Sequence, residues 1–547
     1  MSPRSPQGAW AWRERPAALA MLGLLLAIAT PYLVQHALSS GPTRDEHQFI
    51  SAAWLLAHEG LWPYLDFNYF HVPYQVPWQA LWLGSSDHLL VAARLSSLAW
   101  GLGSLGLVFW GGWCWLAGLP WGLRLLWPAA LALWLTHNPL FLYSSGRAWN
   151  HDLGLFLALA SVLFLGQGLQ RPRPGGWVLA AGFLLGGAIW TRLSWGPVLL
   201  PCLLALYWPG PAQASLPAWR RLLPWLAGLT LASLPALAWL AASGQDMLFG
   251  VLVYPGWLTT QFWEQQGGDK AMTWAGKLVY FLRHVLDSPG DLALFGTYQQ
   301  TRCLFLATAL AALPLNLLAV YKKVGPWRQC GLVLLLLPMI FLGAMLPTPN
   351  MYQYYYQTVP FSLLALALAL AVLYELAPPG PPRWALAASL GLASLYILAV
   401  GGIHLGHVGW RDLAAWRAWP AAQTHDLGRQ LARGVGPGPV LTLAPVYALE
   451  GRLPIYPELA SGPFAFRVAH LLPPDQRRER RMLAPQDLPR FLASQPPAAI
   501  LTGFDPGLEP PLVEYARAHG YQPRPVNASH LALWLPASAG QSPGEHP

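Results

Sequence analysis

Charged side chains are scarce in this chain: 10% of its 547 residues are Asp, Glu, Lys or Arg, against about 25% in an ordinary soluble protein. So few charges cannot cover the surface that several soluble domains would present to water, which excludes that organisation for most of the chain. Cysteine is nearly absent too. Cys114, Cys202, Cys303 and Cys330 lie in or beside apolar runs, at spacings that suit neither a metal site nor a disulfide framework, and read as buried packing residues. Basic patches are also lacking. The formal charge of +9 comes from Arg and Lys in short connections between apolar runs, without interleaved aromatics. That excludes a nucleic-acid partner and leaves the basic residues as topology signals.

What the chain has is apolar length: 54% of its residues are hydrophobic and 30 are Trp. A helix needs about 20 apolar residues to cross a bilayer. Read against the flanking Arg and Lys, the runs predict about eleven spans, at 17–36, 89–117, 124–143, 153–170, 177–192, 194–208, 222–242, 300–320, 329–346, 356–376 and 384–403, the fifth and sixth being short. The first follows Arg4, Arg13 and Arg15 and is too long for the apolar core of a signal peptide, so it is expected to be retained. Arg124, Arg171, Arg173, Arg220, Arg221, Lys322, Lys323, Arg328 and Arg383 then fall on the side of the basic N-terminus, which is expected to be cytoplasmic. The segments 37–88, 243–299 and 347–355 lie on the other side. The cytoplasmic connections are too short to build a site, so chemistry is expected outside.

After residue 403 the composition becomes Pro-rich and charged. Runs such as Val440–Leu443, Ala499–Thr502 and Leu531–Trp534 alternate with helical stretches at Asp426–Arg433 and Leu512–His519. The expected organisation is therefore mainly α, with a polytopic helical membrane bundle over 1–403 and a small extracytoplasmic α/β domain over 404–547 that ends in a disordered tail. The cluster Arg477, Arg478, Arg480 and Arg481 reads as a solvated loop, with anionic headgroups as the alternative contact.

The first outer loop opens Thr43-Arg44-Asp45-Glu46 and continues with Phe49, Ile50, Ala53, Trp54 and Leu56 at helical spacing up to Gly60. This predicts an amphipathic helix on the membrane surface, C-capped by Gly60. Thr43 with Glu46 has the spacing of a capping box, a structural role that Gln would also fill. Asp45 stands where a general base would meet a sugar carried on a lipid phosphate. A phosphate leaving group is a weak base, so it needs positive charge rather than a proton. Arg192, in Ile189-Trp190-Thr191-Arg192, faces outward at a turn between two spans. Arg94, Arg147 beside Asn150, His151 and Asp152, and Arg302 are the other candidates. His47, His71 and His151 are the outer residues that a divalent metal would use, but no pair has ligand spacing on one helix face, and no metal ligand is assigned. The run Tyr352 to Tyr356 reads as an interfacial aromatic belt or a sugar-stacking surface.

In order and membrane side, these segments resemble the C-type (GT-C) glycosyltransferases, in particular bacterial relatives of the protein O-mannosyltransferases and of the lipid A aminoarabinose transferase. The match runs from Asp45-Glu46 through Gly60-Leu61-Trp62-Pro63-Tyr64-Leu65-Asp66-Phe67 to Tyr69-Phe70-His71-Val72-Pro73. It continues with Ala93-Arg94-Leu95, Asp152, Ala181 to Gly186 before Thr191-Arg192, and Tyr352 to Pro360. The resemblance implies an integral inner-membrane glycosyltransferase of the cell envelope that moves a sugar from a polyprenyl-phosphate donor to an unidentified acceptor, with inversion. It implies Asp45, with Glu46, as the catalytic carboxylates. Arg192, Arg94 and Arg147 are expected at the donor phosphate, and His71, Asp152, Tyr352 and Tyr354 along the cavity. The sequence departs from the family where His71-Val72-Pro73 replaces Glu-Lys or a double Pro, and where Arg192 replaces Lys. A secondary transporter or flippase is the rival reading, but no second copy of the loop is found.

Overall fold

The computed structural model describes residues 10–208, 217–267, 272–286, 299–526 and 530–537. Arg4, the tail after 537 and parts of the 243–299 segment lie outside these. Each of the eleven apolar runs is helical. Among the described residues, eight helices are long and apolar enough to cross a membrane: Glu14–Leu38, Leu89–Trp115, His151–Gly168, Trp219–Ser243, Gln300–Lys322, Trp327–Met345, Tyr352–Leu376 and Pro381–Leu405. The chain is an integral membrane protein of mainly α class. Gly175–Thr191 and Leu193–Tyr207 are shorter apolar helices, at the two runs whose length was marginal in the sequence.

The third run differs from its expected limits. Its helix, Trp121–His137, stops where Asn138-Pro139 starts a separate short helix, Pro139–Ser144. Proline has no N–H to give the preceding turn and suits a first helical position. The Asn138 side chain caps the new helix, accepting from the N–H of Leu140 at 3.0 Å and of Phe141 at 3.4 Å.

Small residues bring Gly175–Thr191 and Trp219–Ser243 into close contact. A Cβ on Gly182 would lie 2.0 Å from the Trp225 carbonyl oxygen, and one on Gly228 would lie 2.0 Å from that of Leu179. Where no hydrophobic drive acts between helices in lipid, such close approach supplies the attraction. The consequence for the site is direct, because Gly175–Thr191 ends at Arg192 and the glycines fix its height.

The segment after Leu405 carries a four-stranded sheet of β1 (Val440–Thr442), β2 (Ala499–Thr502), β3 (Tyr521–Pro525) and β4 (Ala532–Pro536), in the order β1-β2-β4-β3. β1 and β2 are parallel; β4 runs antiparallel to both β2 and β3. Three strands coincide with the apolar runs. The fourth, β3, holds two prolines and is mostly exposed, which only a sheet edge tolerates.

This segment packs onto the loop over 37–88. Buried Glu450 accepts from the N–H groups of Leu89 and Leu90 at 3.1 and 2.8 Å, capping the helix Leu89–Trp115. Asn68 donates to the carbonyls of Glu458 and Arg481 at 2.9 and 2.7 Å. The arginine cluster is therefore not a solvated loop throughout: Arg477 is buried and paired with Asp487 at 2.7 Å, and Arg480 pairs with Asp246. The helix Arg44–Trp54 is likewise not a surface amphipath with one wet face. Its polar Gln48 and Ser51 are buried along with Phe49 and Ile50, because the C-terminal segment covers the side that the sequence left open to water.

Candidate functional site

Glu46 lies at the centre of a buried knot. Its carboxylate accepts from Arg94 Nε and Nη2, both at 2.7 Å, from Ala148 N at 2.9 Å, from Thr43 N at 2.8 Å and from the Thr43 hydroxyl at 3.0 Å. Burial works against its charge, but Arg94 outweighs it and holds the carboxyl down at about 2. The predicted tie between Glu46 and the start of the helix is present, with a buried ion pair added to it. The rest of the Arg94 guanidinium donates to the carbonyls of Ala37 at 2.8 Å, Ser40 at 2.7 Å and Gly41 at 2.7 Å. With both Glu46 bonds, all five N–H groups of a guanidinium are engaged. Arg94, expected at the donor phosphate, thus spends its donors within the chain and ties the first loop to the helix Leu89–Trp115. Glu46 is likewise fully buried, paired with Arg94 at 2.7 Å.

Asp45, one residue earlier, is the opposite case. Its carboxylate is half-buried and makes no hydrogen bond among the described residues. Burial raises its pKa to about 6 against the pull of Arg467, with Glu46 adding to the rise and Arg192 and Arg44 opposing it. A carboxyl poised there can take a proton near neutral pH.

Arg192 is held by the chain around it. It is the C-cap of Gly175–Thr191 in extended backbone, and a 3-10 turn, Leu193–Val198, follows. Its Nε donates to Ser194 Oγ at 3.0 Å, and Nη1 contacts His151 Nε2 at 2.5 Å and Asn150 Oδ1 at 3.5 Å. Ser194 in turn donates to Gln357 Oε1 at 3.0 Å. The guanidinium lies 5.0 Å from the centre of the Tyr354 ring. Nη2 makes no hydrogen bond among the described residues, so one edge of the fork remains available. Arg147 is also only partly engaged, donating to Ser40 Oγ at 2.6 Å.

The remaining predicted residues surround this centre unevenly. His71 stacks on Phe49, with ring centres 4.8 Å apart, and burial pushes its pKa down to about 3, with Arg192 adding to the fall; it is neutral. Asp152 is buried, accepts from Gly146 N at 2.7 Å and from the Tyr356 hydroxyl, and so braces the two segments on either side of it. Tyr352 packs edge-on to Tyr143 at 5.7 Å. The three candidate histidines go to different places: His47 accepts from Val446 N at 3.2 Å and faces Phe504, while His71 lies on Phe49 and His151 on Arg192. Among the described residues no group of three metal-ligating side chains converges.

Arg467 was not legible in the sequence as a site residue. It comes from the short helix Pro463–Ala469, and its guanidinium lies 4.6 Å from the Phe464 ring centre, 5.4 Å from Phe262 and 5.5 Å from Trp263. It is the strongest positive influence on Asp45. Its aromatic neighbours Phe464 and Phe466 were the only local sign. The charge of Asp45 is thus favoured by an arginine of the bundle, Arg192, and by one of the C-terminal segment, Arg467.

No protein-family model and no curated protein sequence matches the chain. Solved structures do. ArnT from Cupriavidus metallidurans bound to undecaprenyl phosphate is similar over 98% of this chain and 100% of its own, at 14% identity and a TM-score of 0.57. Its apo state matches over 97% and 98%, at 13% identity and a TM-score of 0.57. The Archaeoglobus fulgidus oligosaccharyltransferase in complex with Zn and sulfate matches over 88% of this chain and 68% of its own, at 14% identity and a TM-score of 0.51. The likeness is one of fold. The chain has the GT-C fold that the order of its segments implied, almost from end to end.

Proposed function

We propose that this protein is an inverting membrane glycosyltransferase that takes a sugar from a polyprenyl-phosphate donor on the extracytoplasmic face, with Asp45 as the general base. One observation carries the reading: of two adjacent carboxylates, Glu46 is saturated by hydrogen bonds, while Asp45 makes none among the described residues and has its pKa raised to about 6, with Arg467 and Arg192 favouring its charge. The likeness to a transferase structure holding undecaprenyl phosphate supports the donor class. Asp45 takes the proton of the acceptor hydroxyl or amine as its heteroatom bonds to the anomeric carbon. The bond from that carbon to the phosphate oxygen breaks on the far side, which inverts the centre. The electron pair leaves on phosphate, where the free edge of Arg192 meets the charge, with Arg147 as a second donor. The bundle over 1–403 supplies this chemistry, with the N-terminus cytoplasmic. The part over 404–547, extracytoplasmic, covers the site and contributes Arg467.

The test is Asp45→Asn in the purified full chain, assayed for transfer from a polyprenyl-phosphate sugar. An amide cannot accept the proton, so the rate is expected to fall about 10² to 10⁴-fold while the melting temperature stays at or above that of the parent. A folded variant that keeps more than a tenth of the rate overturns Asp45 as the base.

A further inference from the structure

The end of the bundle away from Asp45 holds a cleft that the transfer chemistry does not use. It is a narrow groove where the helices His151–Gly168, Leu199–Tyr207 and Trp327–Met345 come together. Its wall is apolar, from Leu169, Leu332 and Leu335, and its mouth is formed by Trp208, Trp327 and Arg328. Trp208 is 55% exposed. The indole rings of Trp208 and Trp327 are 5.9 Å apart, and the Arg328 guanidinium lies 4.7 Å from the Trp327 ring centre.

We infer that this cleft is a second lipid site, selective for an anionic phospholipid of the leaflet on that side. Charge complementarity decides the class. No acidic residue lines the cleft among the described residues. Arg328 stands at its mouth, Arg171 follows the lining Gln170, and Arg221 donates to the Leu206 carbonyl at 2.9 Å beside the lining Ala205. An acyl chain fits the apolar wall, two indoles suit the depth of the headgroups, and a guanidinium at the mouth suits a phosphate. Basic pockets between membrane helices are where anionic headgroups bind. By the placement of its Arg and Lys this is the cytoplasmic leaflet, across the bilayer from the proposed donor phosphate.

The experiment is native mass spectrometry of the full chain released from nanodiscs of palmitoyl-oleoyl phosphatidylglycerol or of the matching phosphatidylcholine. The parent is expected to retain one phosphatidylglycerol and to melt higher with it than with phosphatidylcholine. Arg328→Gln should lose about fivefold in that preference with transfer unchanged, and Arg328→Lys should keep most of it. Equal retention of the two lipids by the parent overturns the inference without reference to any variant. Full preference in Arg328→Gln overturns the role of Arg328, and displacement of the retained phospholipid by undecaprenyl phosphate would reassign the cleft to the polyprenyl carrier.

Discussion

The knot around Glu46 and the surroundings of Asp45 are built from similar materials, a carboxylate and arginine among apolar side chains, and they differ in what is left over. At Glu46 and Arg94 every acceptor and donor that the guanidinium needs is met within the chain, so the pair has nothing to offer a ligand. At Asp45 and Arg192 a carboxylate and one edge of a guanidinium remain unused, held in place by groups that are themselves satisfied, such as Ser194 on Gln357. A buried charge that is completely bonded stabilises an arrangement, whereas one left incomplete is poised for something else to complete it. The first region positions the second, because Asp45 and Glu46 share the first turn of one helix.

Breaking the knot should have the largest effect. Glu46→Gln keeps a side chain that can cap the helix but cannot neutralise Arg94, whose side chain is 0% exposed. Removing one partner of a buried pair costs about 3 to 5 kcal/mol. The expected result is a large fall in thermal stability in detergent, with loss of transfer following from it. Capping alone, the role legible in the sequence, predicts a variant that stays folded and active. An unchanged melting temperature would mean that Arg94 finds its compensation elsewhere.

Arg192 sharpens the other half of the comparison. Gln at this position removes the charge and the free edge of the fork, and hydrogen bonds to charged groups are worth about 1.5 to 3 kcal/mol. Affinity for a polyprenyl-phosphate sugar should fall roughly 10- to 100-fold, and Lys should fall between Gln and Arg. Arg192 also holds His151 and Ser194, so the melting temperature must be read beside the affinity. Equal donor affinity in all three proteins would leave Arg192 with a structural role only.

Much of this contrast could not be read from the sequence. Both arginines interrupt apolar runs, and nothing local distinguishes them. What separates them is the set of carbonyls at Ala37, Ser40 and Gly41, more than fifty residues before Arg94 and brought to it only by the fold. Arg467 is further still from Asp45 along the chain and comes from a segment that reads as soluble. Local physics was legible: the apolar runs, Gly60 in the left-handed conformation that ends its helix, the Thr43–Glu46 tie and three of four strands. β3 was missed because its prolines argue against a strand everywhere except at an edge, and being at an edge is a property of the assembled sheet.

pH separates the two regions without a mutation. Glu46 is held at about 2, below its ordinary 4.5, so its contribution to stability is complete above about 4.5 and is lost only as pH falls toward 2. Asp45 has its pKa raised from 3.8 to about 6. Its effect on stability has the other sign, favouring the fold below 3.8 and fading as pH rises through about 6. Transfer should therefore fall about tenfold per unit below pH 6 while the melting temperature holds down to about pH 5. A parallel fall of rate and melting temperature would attribute the loss to unfolding instead.

The smallest effect is expected at Thr43, where the two regions join. Its N–H and hydroxyl both donate to Glu46, and the hydroxyl also accepts from the Trp149 indole at 3.3 Å. Thr43→Ala keeps the backbone bond and removes the hydroxyl, a change at an N-cap that typically costs about 1 kcal/mol. The two Arg94 bonds and the Ala148 N–H still hold Glu46, so Asp45 should keep its place and transfer should fall less than tenfold. Thr43→Ser, which restores the hydroxyl, should return both stability and rate to the parent values. Thermal melts and initial rates on the three proteins decide it. A collapse of transfer in a folded Thr43→Ala protein would mean that the hydroxyl acts on the substrate, and the boundary between the saturated region and the reactive one would then run through Thr43 rather than between Glu46 and Asp45.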